Sequence, residues 1–133
     1  MTKSKLLLAT MLLTFSAYSF ATGSIECTGN NAKSANGSTK TISIFVNVGF
    51  ESGELASNLG LTPDTSADKF LSLAEESVSA FKNNSRKLII KASDKNNNAI
   101  SLSYDKKKQT GVMSLTVNGD VQTSNDVTCD IDY

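Results

Sequence analysis

Two cysteines and two pairs of glutamates are the residues of this chain whose types could support chemistry. Cys27 and Cys129 stand near opposite ends of the sequence, and histidine is absent from all 133 residues. Serine and cysteine hydrolases of the usual kind rely on histidine as the base, so we expect no such hydrolase. Zinc sites draw mainly on cysteine and histidine, and the scattered glycines form neither standard phosphate-binding loop. We therefore expect no metal site and no cofactor.

Paired carboxylates are the remaining option for catalysis, because two of them can divide the roles of general acid and base. Glu75 and Glu76 would point about 100° apart around a helix axis, which is typical of a solvated face. Glu51 and Glu54 lie in a loop with glycines at 49 and 53, and they would converge only if that loop folds back on itself. A small glycan or peptide hydrolase that uses Glu51 and Glu54 is therefore one functional hypothesis.

A run of oxygen-bearing side chains from Asp94 to Asp105 has a spacing that could suit calcium. Asp94, Asn96, Asn98 and Asp105 occupy positions 1, 3, 5 and 12 of an EF-hand-like loop. Ala99 stands at position 6, where the EF-hand needs glycine for its turn, and β patterns flank the segment in place of helices. We interpret 94–98 as a polar hairpin turn.

The first 21 residues have the three parts of a cleavable export signal. Lys3 and Lys5 give a positive start, and the apolar run over 6–13 is well short of the ~20 residues of a membrane-spanning helix. Small residues at Ser19 and Ala21 suit cleavage after Ala21. We predict a signal peptide over 1–21, export of a bacterial protein to the periplasm or the cell exterior, and no membrane anchor after cleavage.

The chain that remains after cleavage is one domain in size. Removing 21 of 133 residues leaves 112, with 11 basic and 13 acidic residues and a formal charge of −2. Nucleic-acid binding needs a clustered positive surface, and Lys106, Lys107 and Lys108 form the single basic run. Three lysines at a predicted turn are typical of a solvent-exposed tip. We expect a single β-rich domain over 22–133 and no nucleic-acid partner.

The two cysteines are expected to form a disulfide, because an exported chain passes through an oxidising compartment. A bridge between Cys27 and Cys129 would close a loop of about 100 residues, and the chain-entropy treatment assigns such a loop roughly 4 to 5 kcal/mol. The acidic neighbours Glu26 and Asp130 disfavour a thiolate. A structural role is therefore predicted in place of a redox role.

Alternating apolar residues predict strands along most of the chain. Ile42, Ile44, Val46 and Val48 share one face of a strand over 40–48, and a shorter strand is predicted over 24–28. Further strands are predicted over 87–93, 99–104, 112–117 and 121–131, the last with a break. The Asn118–Gly119 pair between two of them is a strong hairpin signal, because both residues tolerate positive φ. The C-terminal half is therefore an antiparallel meander.

One segment predicts a helix. Apolar residues between Ala67 and Phe81 recur at helical spacing, and Thr65 with Asp68 has the spacing of a capping box, so we predict a helix over 66–83. The alternative is a strand pair around Val78 to Phe81, which would make the domain all β. The fold class is mainly β, or α+β if the helix forms: a small antiparallel barrel or sandwich whose first and last strands are joined by the disulfide.

The function favoured by these residues is non-catalytic. We expect a binding or inhibitor module whose contact surface is the loop from 49 to 63, because long loops are often functional. The apolar residues of this loop are Phe50, Leu55, Leu59 and Leu61. The alternative for these side chains is that they complete the core, and the alternative for the whole protein is a structural component of an envelope or matrix. The partner class stays open between a protein, a glycan and a small ligand.

Overall fold

A computed structural model describes residues 22–49, 52–67 and 69–132 of the chain. The predicted signal peptide over 1–21 lies outside the described residues, as do Phe50, Glu51 and Asp68. Within the described ranges the strands are β1 Thr22–Ser34, β2 Thr39–Gly49, β3 Leu59–Thr62, β4 Leu71–Leu73, β5 Val78–Asn83, β6 Lys87–Ser93, β7 Ala99–Asp105, β8 Thr110–Val117, β9 Asp120–Ser124 and β10 Asp126–Asp132. Single 3₁₀ turns at Thr65–Ala67 and Glu75–Ser77 flank β4.

The strands form one antiparallel sheet that curls into a nearly closed barrel. Each strand pairs with its neighbour in sequence from β1 to β4 and again from β5 to β9. The sheet closes because β1 pairs with β2 along one edge and with β10 and β9 along the other. The edge strands of the order are β4 and β5, and these two are not paired with each other. The mainly β fold class is therefore confirmed.

The break between β9 and β10 turns a corner of the barrel. Before the break, β9 pairs with β8 and with the Lys33–Ser34 end of β1, and after it β10 pairs with residues 24–30 of β1. A Cβ on Gly29 would lie 2.9 Å from the Ser124 Cβ, so only glycine lets the corner approach this closely. The Ser124 hydroxyl donates to the Asn30 carbonyl at 2.6 Å, which fixes the corner to β1.

The core consists of the side chains that alternate toward the barrel interior. In β6 the residues Leu88, Ile90 and Ala92 are buried while Lys87, Lys91 and Ser93 are exposed. This period of two is that of a sheet with one face in water. The fully buried large side chains include Ile25, Ile42, Ile44, Val46, Leu59, Leu61, Leu73, Leu88, Ile90, Leu102, Met113 and Leu115.

The predicted disulfide is confirmed and closes the barrel. Cys27 in β1 is the register partner of Cys129 in β10, and their Cα atoms are 4.0 Å apart. The two residues are 102 positions apart in sequence, so the bridge links the first strand directly to the last. It is compatible with an oxidising, exported compartment.

The helix predicted over 66–83 is wrong, and the alternative of a strand around Val78 is confirmed. The segment forms β4 and β5 with a 3₁₀ turn before each. The helical spacing did not mark a buried face, because Ala67 and Phe70 are exposed. β5 pairs with β6 from Val78 to Asn83, and pairing with an adjacent strand outweighs the weak helix propensity of this serine-rich segment.

The turns of the meander lie at two ends of the barrel. Turns 84–86 and 106–109 join β5 to β6 and β7 to β8, so both lie at one end, which we call the basic end after the five cations at 86, 87, 106, 107 and 108. Turns 35–38, 94–98 and 118–119 lie at the opposite end. The Asn118–Gly119 hairpin is confirmed, with φ of 52° and 82°.

The described part of the chain contains no helix with the length and hydrophobicity of a membrane span.

Candidate functional site

The structure places the later part of the predicted contact loop, residues 59–61, within the core, whereas Ser52, Glu54, Ala56 and Asn58 are exposed. Residues 59–62 form β3, which pairs with β2, so the prediction of an unpaired loop from 49 to 63 is wrong over this stretch. Leu59 and Leu61 have no exposed area, and Leu55 is half-buried in a bridge with Val48. These three leucines complete the core, which was the alternative considered for them, while Phe50 lies outside the described residues.

Of the two glutamate pairs, the structure describes Glu54, Glu75 and Glu76. Glu54 is exposed in the connection after β2, where its backbone N–H donates to the Ser52 hydroxyl at 3.2 Å. Glu51 lies outside the described residues. Glu75 and Glu76 are both exposed on a 3₁₀ turn, as expected for a solvated face. Within the described residues, no group of three or more metal-ligating side chains comes together.

Two phenylalanines instead lie on the outer face of the sheet, close to the predicted loop. Phe45 in β2 is 42% exposed, and Phe70, just before β4, is 70% exposed. Phe45 points outward because its strand neighbours Ile44 and Val46 fill the core. An exposed large apolar side chain is informative when it has a second one beside it, since single ones are common on protein surfaces. We call Phe45 and Phe70 the aromatic pair.

Gly60 explains how the two rings come to be neighbours. A Cβ on Gly60 would lie 2.7 Å from both Cε2 and Cζ of Phe70, so the Phe70 ring rests directly on the backbone of β3. Gly60 is also the register partner of Phe45 in β2. The ring of Phe70 therefore lies on the strand position immediately opposite Phe45. A glycine inside a strand often marks such a close approach, and an aromatic ring over it restores the packing that glycine lacks.

Short polar side chains surround the aromatic pair on the same face. Phe45 is paired with Glu26 of β1 on one side, and Gly60 is paired with Ser72 of β4 on the other. Two residues along the same strands, Ser43 is paired with Thr62, and residues two apart in a strand share a face. The surface thus offers two apolar rings bordered by hydroxyl groups and a carboxylate.

A polar pocket of about 370 Å³ lies further along β2, where the chain leaves β3, and is lined by the hydrogen-bonded turn Asp64–Ser66. The Asp64 carboxylate accepts from the Ser66 hydroxyl at 2.6 Å and from the Ser66 N–H at 3.0 Å. These hydrogen bonds from Ser66, with a smaller effect of Lys40, lower the pKa of Asp64. The turn fixes the start of the connection that carries Phe70 onto Gly60.

Two features of the sequence are consistent with the aromatic pair, but the spacing of apolar residues is not sufficient to predict it. Phe45 is a large apolar residue on the polar face of the most regular strand, and Gly60 interrupts an otherwise apolar trio with Leu59 and Leu61. Phe70 falls within the apolar spacing that predicts a helix over 66–83.

Comparison with protein-family models, curated proteins and solved structures finds no match for this chain.

Proposed function

We propose that this protein is an exported, non-catalytic binding module that holds a glycan on the aromatic pair. The observation that carries the proposal is the Phe70 ring, which lies on Gly60 next to Phe45 and yet remains 70% exposed. Covering two exposed rings removes apolar area from water, which favours binding by roughly 25 cal/mol for each Å².

The chemistry around the rings favours a glycan over a protein partner. A sugar presents an apolar ring face edged by hydroxyl groups, and the surface presents apolar rings edged by Glu26, Ser43, Thr62 and Ser72. A stable protein interface buries about 800 Å² on each partner around a hydrophobic centre. Two phenylalanines amid short polar side chains supply little of such a centre.

Export is part of this proposal and rests on two features of the chain. The lysine-led apolar segment over 1–21 has the organisation of a signal peptide. The Cys27–Cys129 disulfide is of the kind that persists in oxidising compartments. Glycan polymers are abundant outside the cytoplasm, so the compartment and the chemistry of the aromatic pair agree.

The test is binding of residues 22–133 to a panel of immobilised neutral polysaccharides, with a panel of envelope proteins as the second arm. We expect retention on at least one polysaccharide, and a loss of about tenfold in affinity for each of Phe45→Ala and Phe70→Ala. Val112→Ala is the matched control, because Val112 is an apolar side chain that is 46% exposed on a different strand.

Folding is checked for each variant by circular dichroism, since Phe70→Ala uncovers Gly60. A second variant, Phe45→Ser, leaves the Phe70–Gly60 contact in place and separates binding from stability. If the protein is instead retained on envelope proteins, and this binding is lost in both ring variants, the aromatic pair binds a protein partner and the glycan proposal is wrong. Unchanged glycan binding in both folded ring variants would remove the aromatic pair from the function.

A further inference from the structure

The basic end of the barrel concentrates positive charge that the sequence distributes over two separate turns. Residues 82–108 contain eight basic and two acidic residues, whereas residues 110–132 contain four acidic and no basic residues. Turns 84–86 and 106–109 bring five of these cations together. A cleft of about 560 Å³ between the turns is lined by Arg86, Lys87, Asp105, Lys107 and Lys108.

Hydrogen bonds hold the two turns against each other. The Lys106 N–H donates to the Arg86 carbonyl at 2.8 Å, and the Lys106 ammonium donates to Asn83 Oδ1 at 2.5 Å. Asn83 in turn donates from Nδ2 to the Gly53 carbonyl at 3.1 Å, so the connection after β2 joins the same end. The cations are therefore gathered by a fixed backbone arrangement.

The carboxylate in the cleft leaves most of this charge uncompensated. Asp105 accepts from the N–H groups of Lys107 and Lys108, both at 3.0 Å, and the hydrogen bond from Lys108 is the main reason why its pKa is lowered. Asp105 is therefore ionised and engaged with its own turn. Over residues 84–87 and 105–109, five cations against one carboxylate give the two turns a formal charge of +4.

The backbone N–H groups of the five cations are already engaged within the turns. Two consecutive N–H groups in a turn can form an anion-binding nest, but the N–H groups of Arg86 and Lys87 already donate to Asn84 Oδ1, each at 2.9 Å. Those of Lys107 and Lys108 are held by Asp105. Recognition is thus left to several long cationic side chains, which suits an extended polyanion better than one enclosed phosphate.

From this arrangement we infer that the basic end binds an anionic polysaccharide through its sulfate, phosphate or carboxylate groups. The charges of the two are complementary. Among the described residues, those that line the cleft include no aromatic ring on which a nucleic-acid base could stack and no apolar side chain that could enter a lipid bilayer. The inference does not depend on the aromatic pair, which lies on the outer face of β2 and β3.

The experiment measures binding of residues 22–133 to dextran sulfate and to uncharged dextran of the same length. We expect binding to dextran sulfate alone, with the logarithm of affinity falling by about three to four for each tenfold rise in salt. Lys107→Gln with Lys108→Gln should weaken binding about thirtyfold. The control is Lys33→Gln with Lys95→Gln, which changes the net charge equally through two exposed lysines near the opposite end, and it should change affinity less than threefold.

Two further arms separate this inference from its rivals and from the proposed function. Duplex DNA and phosphatidylglycerol vesicles are tested in parallel, and tighter cluster-dependent binding to either would overturn the assignment to a polysaccharide. An equal loss of affinity in the two double-lysine variants would show that binding depends only on net charge, and would contradict a site at the basic end. Val121→Ala removes an apolar side chain that is 46% exposed on β9 and belongs to neither site, so it should leave dextran sulfate binding unchanged. The lysine variants are scored on dextran sulfate and the ring variants on neutral polysaccharides, so a failure of either proposal can be recognised without the other.

Discussion

The two ends of the barrel are built by the same device and differ in charge. At the opposite end, Asp94 accepts from the N–H groups of Asn96 and Asn98, and Asn98 Oδ1 accepts from the Asn118 N–H at 3.0 Å. At the basic end, Asp105 caps one turn and Asn83 bridges to the neighbouring one. Each end therefore combines an aspartate cap with a bridging asparagine.

This similarity shows that, apart from Lys106, whose ammonium donates to Asn83, the cations are not needed for turn structure. Turns 94–98 and 118–119 with Asp120 contain one lysine and two aspartates, and they are joined by hydrogen bonds without a cluster of cations. Gathering five cations opposes folding through mutual repulsion. A charge distribution that the fold does not require is a feature to be explained by binding.

The largest expected effect comes from removing the disulfide, which joins the first strand to the last and belongs to neither end. Cys27→Ala with Cys129→Ala should lower the free energy of unfolding by about 4 to 5 kcal/mol, because a bridge that closes a loop of about 100 residues is lost. Urea denaturation measures the change, and reductant added to the wild type should reproduce it. Two reactive thiols in the denatured, unreduced wild type would show that the bridge does not form.

Substitution of the bridging asparagines Asn98 and Asn83 measures how much each end of the barrel depends on its bridge for stability. Asn98 is 5% exposed and uses both ends of its amide, so Asn98→Ala should cost about 2 kcal/mol. Asn83 is half-buried, and Asn83→Ala should cost about 1 kcal/mol. Chemical denaturation gives both values, with Asn96→Ala as the control because its side chain is exposed. An equal cost for Asn98→Ala and Asn96→Ala would contradict the bridging role.

Removal of positive charge should stabilise the basic end and leave the stability of the opposite end without a gain. Lys107→Gln with Lys108→Gln should raise the free energy of unfolding at low salt by about 0.5 kcal/mol, because like charges at the basic end repel one another. Lys95→Gln, beside Asp94 at the opposite end, should give no gain. The comparison of urea midpoints at low and high salt decides, since the gain should disappear as salt screens the repulsion. A gain that persists in high salt would point to a cause other than charge.

The smallest expected effect is a loss of folding stability at low pH. Hydrogen bonds lower the pKa of both capping aspartates below 3.8, chiefly from the Asn98 side chain for Asp94 and from the Lys108 N–H for Asp105. A depressed pKa in the folded state means that the stabilisation is complete above the unfolded value and is lost as pH falls through the folded value. Both caps should therefore weaken below about pH 4. Asp94→Asn should reduce the loss of stability between about pH 7 and about pH 3, and an unchanged loss would exclude this cap as a source.

Much of this fold could be predicted from the sequence wherever apolar alternation and turn residues agreed. β6 was predicted over its observed range, and the Asn118–Gly119 hairpin fixed the register of β8 and β9. The prediction of secondary structure failed between 59 and 83. A glycine lies inside β3, and the segment with helical spacing forms the two short strands β4 and β5. In both places the decisive partner lies outside the segment itself, because the Phe70 ring packs on Gly60 and β6 pairs with β5.

The candidate sites were harder to predict because they depend on proximity in space. The lysine run at 106–108 was visible as a turn, but Arg86 and Lys87 lie about twenty positions earlier. Alternate turns of a meander share one end of a barrel, and this rule applied to the predicted strands would have grouped the five cations. No comparable rule would have paired Phe45 with Phe70.

The open side of the barrel, where β4 and β5 do not pair, has a consequence for connectivity. The ends of β1 and β10 are neighbours, with Ser24 opposite Asp132, so a short linker could join them and new termini could be cut at Glu75–Ser77. The circularly permuted chain would keep every strand pairing of the native order. Its disulfide, however, would close a loop of roughly 15 residues, for which the entropic contribution falls to about 3 kcal/mol. The same bond in the same place would then stabilise the same barrel less, because its contribution depends on the order in which the chain visits the strands.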